Sequence, residues 1–173
     1  HMSADENGYK FAFSTVWGGL VPPFFGFLYE KDVPLMNHYT LAEMTPGVTE
    51  EFTVTVTAEM MQKFCEITGD VSPIHMDAEY AQQRGFPGRV VYGMLGASFF
   101  STLAGVYLPG EHCLLHGVEC KFAKPIFIGD TLTVKGTVVG VSEIGSEAEI
   151  KAVITNQDGK RVTRGIIKAG LAK

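Results

Sequence analysis

Asp70 and His75 lie five residues apart in the stretch Gly69-Asp70-Val71-Ser72-Pro73-Ile74-His75, a carboxylate and an imidazole on a segment whose other residues restrict the backbone. Gly69 permits a sharp turn, while Pro73 fixes its own φ and restrains Ser72 before it. Such a segment aims two polar side chains at one point. An unperturbed Asp titrates near ~4 and a His near ~6.5, so around neutral pH the pair can act as base and acid on a shared water. Taken alone, the pattern favours a plainer reading: Asp70 and Ser72 shape a turn, and His75 is a surface imidazole. The elements that position the pair, and the sequence around it, carry the decision.

Upstream, Phe52-Thr53-Val54-Thr55-Val56-Thr57 alternates apolar and polar residues and predicts a half-buried strand. Thr57 then caps a helix with Glu59 in its first turn, whose inward face takes Met60 or Met61, Phe64, and Ile67 or Thr68 as core. The helix ends at Gly69 and delivers Asp70 at its C-terminus. Downstream, Asp77 caps a short helix, Ala78 to Gln83, that stops at Gly85. Gly93 opens a long apolar helix reaching about Val106. The 21 residues from Val90 to Gly110 carry no charge, which is long enough to span a bilayer. Yet Gly93, Gly96, Ser98, Ser101, Thr102, Gly105 and a Pro109-Gly110 ending predict the buried central helix of a globular fold, apolar on all sides.

Strands come next. His112 to Phe122 alternates Leu114, His116, Val118, Cys120 and Phe122 on one side. Thr131 to Val141 alternates Leu132, Val134 and Val138 against threonines and Lys135. Glu147 to Thr155 puts Ala148, Ile150, Ala152 and Ile154 on one face. Pro125 to Asp130 is a turn, Asn156-Gln157-Asp158-Gly159 a hairpin turn, and Arg161 to Ala169 the last strand. A strand, then helices, then a run of strands predicts an antiparallel sheet with segregated helices, the α+β class.

The chain's 173 residues suit one domain with a real core, burying about 70% of its unfolded surface. A net charge of −5 argues against broad nucleic-acid binding. Cys65, Cys113 and Cys120 are unevenly spaced and form no CxxC pair, so no disulfide framework and no zinc site is expected, and a reducing, cytoplasmic location is. No cluster has metal-ligand spacing; His112 and His116 read as strand histidines. His1-Met2 reads as a vector remnant. Residues 1–37 form an apolar N-terminal arm ahead of a domain over 38–173. The arm's aromatics (Phe11, Phe13, Trp17, Phe24, Phe25, Phe27, Tyr29) are expected to pack on the body or on a partner subunit and to narrow a substrate pocket.

Reading outward from Phe64, the run Phe64-Cys65-Glu66-Ile67-Thr68-Gly69-Asp70-Val71-Ser72-Pro73-Ile74-His75, then Gly85-Phe86 and Arg89-Val90-Val91-Tyr92-Gly93-Met94-Leu95, closely resembles the signature of the MaoC-like, hydratase-2 type (R)-specific enoyl-CoA hydratases and related hotdog dehydratases. The resemblance covers roughly Tyr39 to Ala169 and includes a later Pro125-x-x-x-Gly129-Asp130 turn. Two positions depart from it: Ser72 replaces the usual Asn, and Tyr92 replaces the usual His.

The resemblance implies a hotdog fold, with a curved antiparallel sheet wrapped around the Gly93 helix, assembled as a homodimer. It implies a hydro-lyase that interconverts 2-enoyl and (R)-3-hydroxyacyl thioesters through a water held by Asp70 and His75. The oxyanion contact falls to the Gly93 amide, at a helix N-terminus suited to an enolate, and Ser72, Tyr92 and Ser98 join it in contacting substrate. No cofactor or metal is expected beyond the CoA or phosphopantetheine that carries the acyl group, with acyl carrier protein as a partner in the latter case. Arg84 and Arg89 flank a turn-rich connection and are either contacts for the carrier's phosphates or solvated surface. An acyl-thioester hydrolase and a non-catalytic acyl-binding protein are the alternatives, since one fold hosts several functions.

Overall fold

The alternating stretches of the sequence become five strands in the computed structural model, which describes residues 35–142 and 144–171. They are β1 (Thr49–Thr55), β2 (Cys113–Phe122), β3 (Thr131–Ser142), β4 (Glu147–Thr155) and β5 (Arg161–Leu171). All neighbours pair antiparallel in the order β1-β3-β4-β5-β2. The aromatic part of the expected N-terminal arm lies outside the described residues.

On β3 and β4 the expected inward faces hold: Leu132, Val134, Val138, Ala148, Ile150, Ala152 and Ile154 are all buried. The Asn156–Gly159 turn joins β4 to β5, with Gly159 at φ 70° and Asn156 N–H bonded to Lys160 O at 3.0 Å. Before it, Asp130 closes the Pro125–Asp130 turn. One of its carboxylate oxygens accepts from Phe127 N–H at 2.9 Å and the other from Gln157 Nε2 at 2.8 Å, stapling the turn to the β4–β5 hairpin.

Against this sheet lies the central helix α4 (Gly93–Thr102), prolonged by a π-helical turn Leu103–Tyr107. Together they cover the helix read from Gly93 to about Val106. Bare backbone lets the helix approach: a Cβ on Gly136 would stand 2.9 Å from Leu103 Cδ2, and one on Gly165 3.0 Å from Phe100 Cε2. Phe100 and Leu103 are fully buried in that seam, where truncating a Phe to Ala typically costs ~3–5 kcal/mol. A five-stranded antiparallel sheet around one apolar helix is the α+β hotdog arrangement that the resemblance implied.

Two expected faces are corrected. In β2 the expected face holds only in part: Cys120 packs on the core and Phe122 meets Gly93, but Leu114 is 58% exposed while its neighbour Cys113 packs inward, and Val118 and Phe122 remain 39% and 51% exposed. β2 is an edge strand, and its register on β5 shifts between Leu115 and Gly117. The extra residue at His116 switches the alternation, so that odd-numbered Cys113 before it and even-numbered Cys120 after it both face the core. In α1 (Ala58–Thr68), Met61 and Cys65 are buried and Phe64 packs beside them, whereas Ile67 is 82% exposed. At ~100° per residue, Ile67 points about 120° away from Met61, so the core stripe is Met61-Phe64-Cys65.

Candidate active site

The Asp/His segment is fastened at both ends. Thr57 Oγ1 caps α1 by accepting from the Met60 N–H at 3.2 Å, and Gly69 ends it in the left-handed conformation (φ 71°), its N–H bonded to Cys65 O at 2.7 Å. Asp70 Oδ1 then accepts from the Ser72 N–H at 3.0 Å, a side-chain turn that redirects the chain. Beyond Ser72 the chain makes a single helical turn that the sequence pattern had not predicted, α2 (Pro73–Met76), with Pro73 at its first position. Proline's fixed φ and missing N–H suit that position, and this signal was readable. His75 thus sits on a helical turn. The next helix, α3 (Ala78–Gln83), begins as expected, with Asp77 Oδ1 accepting from Glu79 and Tyr80 N–H groups.

His75 Nδ1 lies 2.8 Å from Val90 O. A carbonyl oxygen only accepts, so Nδ1 carries the hydrogen, and in the neutral ring Nε2 keeps its lone pair. The same segment is held by Val90 N–H to Ile74 O at 3.1 Å and Val91 N–H to Ile126 O at 2.8 Å. The imidazole is therefore oriented by the backbone that leads into α4.

Tyr92, the departure from the family pattern, links the two catalytic candidates. Its ring, 2% exposed, packs on His75 with centroids 4.1 Å apart and on Phe64 at 5.1 Å. Its hydroxyl donates to the Asp70 carbonyl at 2.7 Å, with Met76 Sδ 3.4 Å away. Burial first, then the Cys65 thiol and the Asp70 carboxylate, push the phenol up to about 12, against a smaller opposing pull from Arg89. Tyr92 therefore remains a hydrogen-bond donor throughout the neutral range.

A cavity of about 320 Å³ opens beside this cluster, lined by His75, Val90, Val91, Gly93, the run Phe122 to Ile126, and Thr163. Gly93 starts α4, where the first amides have no intrahelical partner. The Phe122 ring lies so close that a Cβ on Gly93 would be 3.3 Å from three of its carbons. Of the other residues singled out from sequence, Tyr92 underlies His75, and Ser72 contributes backbone at the start of α2. Asp70 is exposed and is not part of the cavity wall; it joins the cluster through Tyr92. Its Oδ2 takes no hydrogen bond from a described residue. Ser98 Oγ donates to Leu95 O at 2.6 Å within its own helix. Arg84 packs over the Tyr80 ring at 4.7 Å and donates to the Tyr80 hydroxyl at 3.0 Å. Neither Arg84 nor Arg89 lines the cavity, whereas Lys124 does. Lys124 and Thr163 were missed: Lys124 was signalled only by its place before the Pro125 turn, and Thr163 by nothing local.

Elsewhere the structure brings together residues that spacing alone kept apart. His38 Nδ1 meets Glu111 Oε2 at 2.5 Å, and His112 joins them, their ligand-type atoms all within 4.8 Å. All three are exposed, and the pair fastens the 37–39 segment to the turn before β2, beside the Glu111 N–H to Asn37 O bond at 2.9 Å. His116 Nδ1 pairs with Glu147 Oε2 at 2.7 Å at the β2 bulge.

A family model described as MaoC like domain matches residues 42–160. The chain is 33% identical over 107 residues to an (R)-specific enoyl-CoA hydratase of Rhodospirillum rubrum, covering 62% of this chain and 74% of that protein. It is 30% identical over 104 residues to a mitochondrial 3-hydroxyacyl-[acyl-carrier-protein] dehydratase of Solanum lycopersicum, covering 59% and 62%. Among solved structures, an R-hydratase from Pseudomonas aeruginosa superposes with a TM-score of 0.73 at 28% identity, over 78% of this chain and 86% of that one.

Proposed function

Because the chain belongs to the MaoC-like domain family, we propose that it is a hydro-lyase that adds water reversibly across the double bond of a 2-enoyl thioester, giving the (R)-3-hydroxyacyl thioester, through Asp70 and His75. The observation that carries the reading is a histidine oriented through Nδ1, with no described residue bonded to Nε2, in the same cavity as the first residue of an apolar helix.

In the hydration direction, a water oxygen attacks C3 and loses a proton to His75 Nε2. The π electrons move onto the thioester carbonyl, and the resulting enolate oxygen is stabilised by the Gly93 amide at the helix N-terminus. Asp70, beside the same tyrosine, holds the water from its free carboxylate oxygen and stabilises the imidazolium, and the pair returns a proton to C2. One C–O and one C–H bond form, the C=C π bond and one O–H bond of the water are lost, and no electrons leave the substrate. The acyl carrier is accordingly the only cofactor-like group in the proposal. Lys124 at the cavity, rather than Arg84, is the cation suited to its phosphates. Relatives named for CoA and for carrier-protein substrates support either carrier.

The proposal includes a homodimer formed along β2. That edge strand exposes Leu114, Leu115, Val118 and Phe122, and an apolar edge of this kind calls for a partner. Residues 38–173 are taken as the catalytic domain and 1–37 as an accessory arm. Three free cysteines support a reducing, cytoplasmic setting, and no helix among the described residues is long and apolar enough to cross a membrane.

A panel of crotonyl-CoA, longer enoyl-CoAs and carrier-bound analogues tests the reading. The enoyl thioester absorbance should fall without release of free thiol. Thiol release from acyl-CoA with no hydration would instead make the protein a hydrolase.

A further inference from the structure

Thr163 is a buried hydroxyl that the fold leaves without a use. It lies on β5 between Phe122 of β2 and Ile154 of β4, is 1% exposed, and its Oγ1 has no hydrogen-bond partner among the described residues. It also lines the cavity that contains His75 and Gly93. A valine would fill the same space without the cost of an unpaired buried hydroxyl. An unsatisfied group of this kind asks for a ligand.

We infer that Thr163 Oγ1 forms a polar subsite for the oxygen at C3 of the acyl chain: the attacking water in one direction, the 3-hydroxyl group in the other. This assignment rests on the hydro-lyase reading. The cavity's polar groups divide by chemistry. The Gly93 N–H suits the thioester carbonyl, the Lys124 ammonium suits the carrier's phosphates, and His75 Nε2 exchanges the proton of the C3 oxygen. An acyl tail offers no hydrogen bond, so within the acyl group the C3 oxygen is the atom left for a polar contact from the cavity wall, beside that of His75 and with Asp70 standing outside that wall. A threonine hydroxyl both donates and accepts, so it can accept from the incoming water and donate to the oxygen as its proton leaves. The subsite would distinguish hydroxylated from saturated acyl thioesters.

The test compares T163V with T163S. T163V should lower kcat/KM by about 3–10-fold in both directions, the size of one neutral hydrogen bond, while T163S stays within about twofold of wild type. T163V should weaken (R)-3-hydroxybutyryl-CoA but leave inhibition by butyryl-CoA, which lacks the C3 oxygen, unchanged. Its melting temperature should hold or rise, since it loses a hydroxyl that had no partner; a merely structural threonine would give the opposite. An active wild type beside an equally active T163V would overturn the subsite alone. So would a T163V that melts earlier and binds butyryl-CoA less well. A wild type that hydrates no enoyl thioester would overturn the parent reading and the subsite together.

Discussion

Replacing Tyr92 by Phe removes one hydroxyl and keeps the ring, so it separates the two things this residue does. The ring contacts with His75 at 4.1 Å and Phe64 at 5.1 Å survive. The hydrogen bond to Asp70 O at 2.7 Å is lost. A neutral hydrogen bond contributes about 0.5–1.5 kcal/mol, and Asp70 is exposed enough for water to replace the donor, so the cost should fall near 1 kcal/mol, about 2–4 °C in Tm. His75 stays oriented by Val90 O, whereas the Asp70 turn loosens. The expected kinetic result is a roughly tenfold fall in kcat, about 1.4 kcal/mol, with KM nearly unchanged. The phenol adds a pH signature. Folding holds it neutral up to about 12 instead of 10, so its stabilisation is complete below pH 10 and is lost as pH climbs through 12. Denaturant titrations from pH 8 to 12 should show wild type losing stability relative to Y92F over that window. A variant with wild-type kcat and Tm, or with the same alkaline slope as wild type, would refute the reasoning.

Other substitutions probe separate parts of the account. K124E should raise KM for a CoA thioester about 5–10-fold, an effect that shrinks with added salt, while R84E should change it less than about twofold, because Arg84 is engaged by Tyr80; steady-state kinetics at two ionic strengths separates them. V118K, on the exposed β2 edge, should shift the protein from dimer to monomer in sedimentation equilibrium; a monomeric wild type would contradict the assembly. G110A should lower stability by about 3–5 kcal/mol in urea titration, since Gly110 has φ 93° and a Cβ there would sit 1.9 Å from Asn37 O.

Features set by neighbours in sequence were read correctly. The Thr57 cap, the Gly69 stop, the Asp77 cap and the inward faces of β3 and β4 each depend on local spacing. The resemblance added the fold and the chemistry. Errors arose where distant partners decide. The bulge at His116 is a property of how β2 meets β5, so strict alternation carried through it put Leu114, rather than Cys113, on the inner face. The cavity joins His75 to Thr163 across 88 positions of chain, and no periodicity reports that. Likewise His38 meets Glu111 and His112 only because the 37–39 segment bonds back to the turn before β2.

The central claim is that Asp70 and His75 move protons on one water at a bound enoyl thioester. It is tested most directly by steady-state hydration of crotonyl-CoA with D70N and H75A beside wild type, each verified as folded by circular dichroism. Positioned proton-transfer groups typically contribute ~10²–10⁴-fold, and a loss in that range is expected for each variant. A folded variant of either kind retaining more than about a tenth of wild-type turnover would fall outside that range and contradict the account.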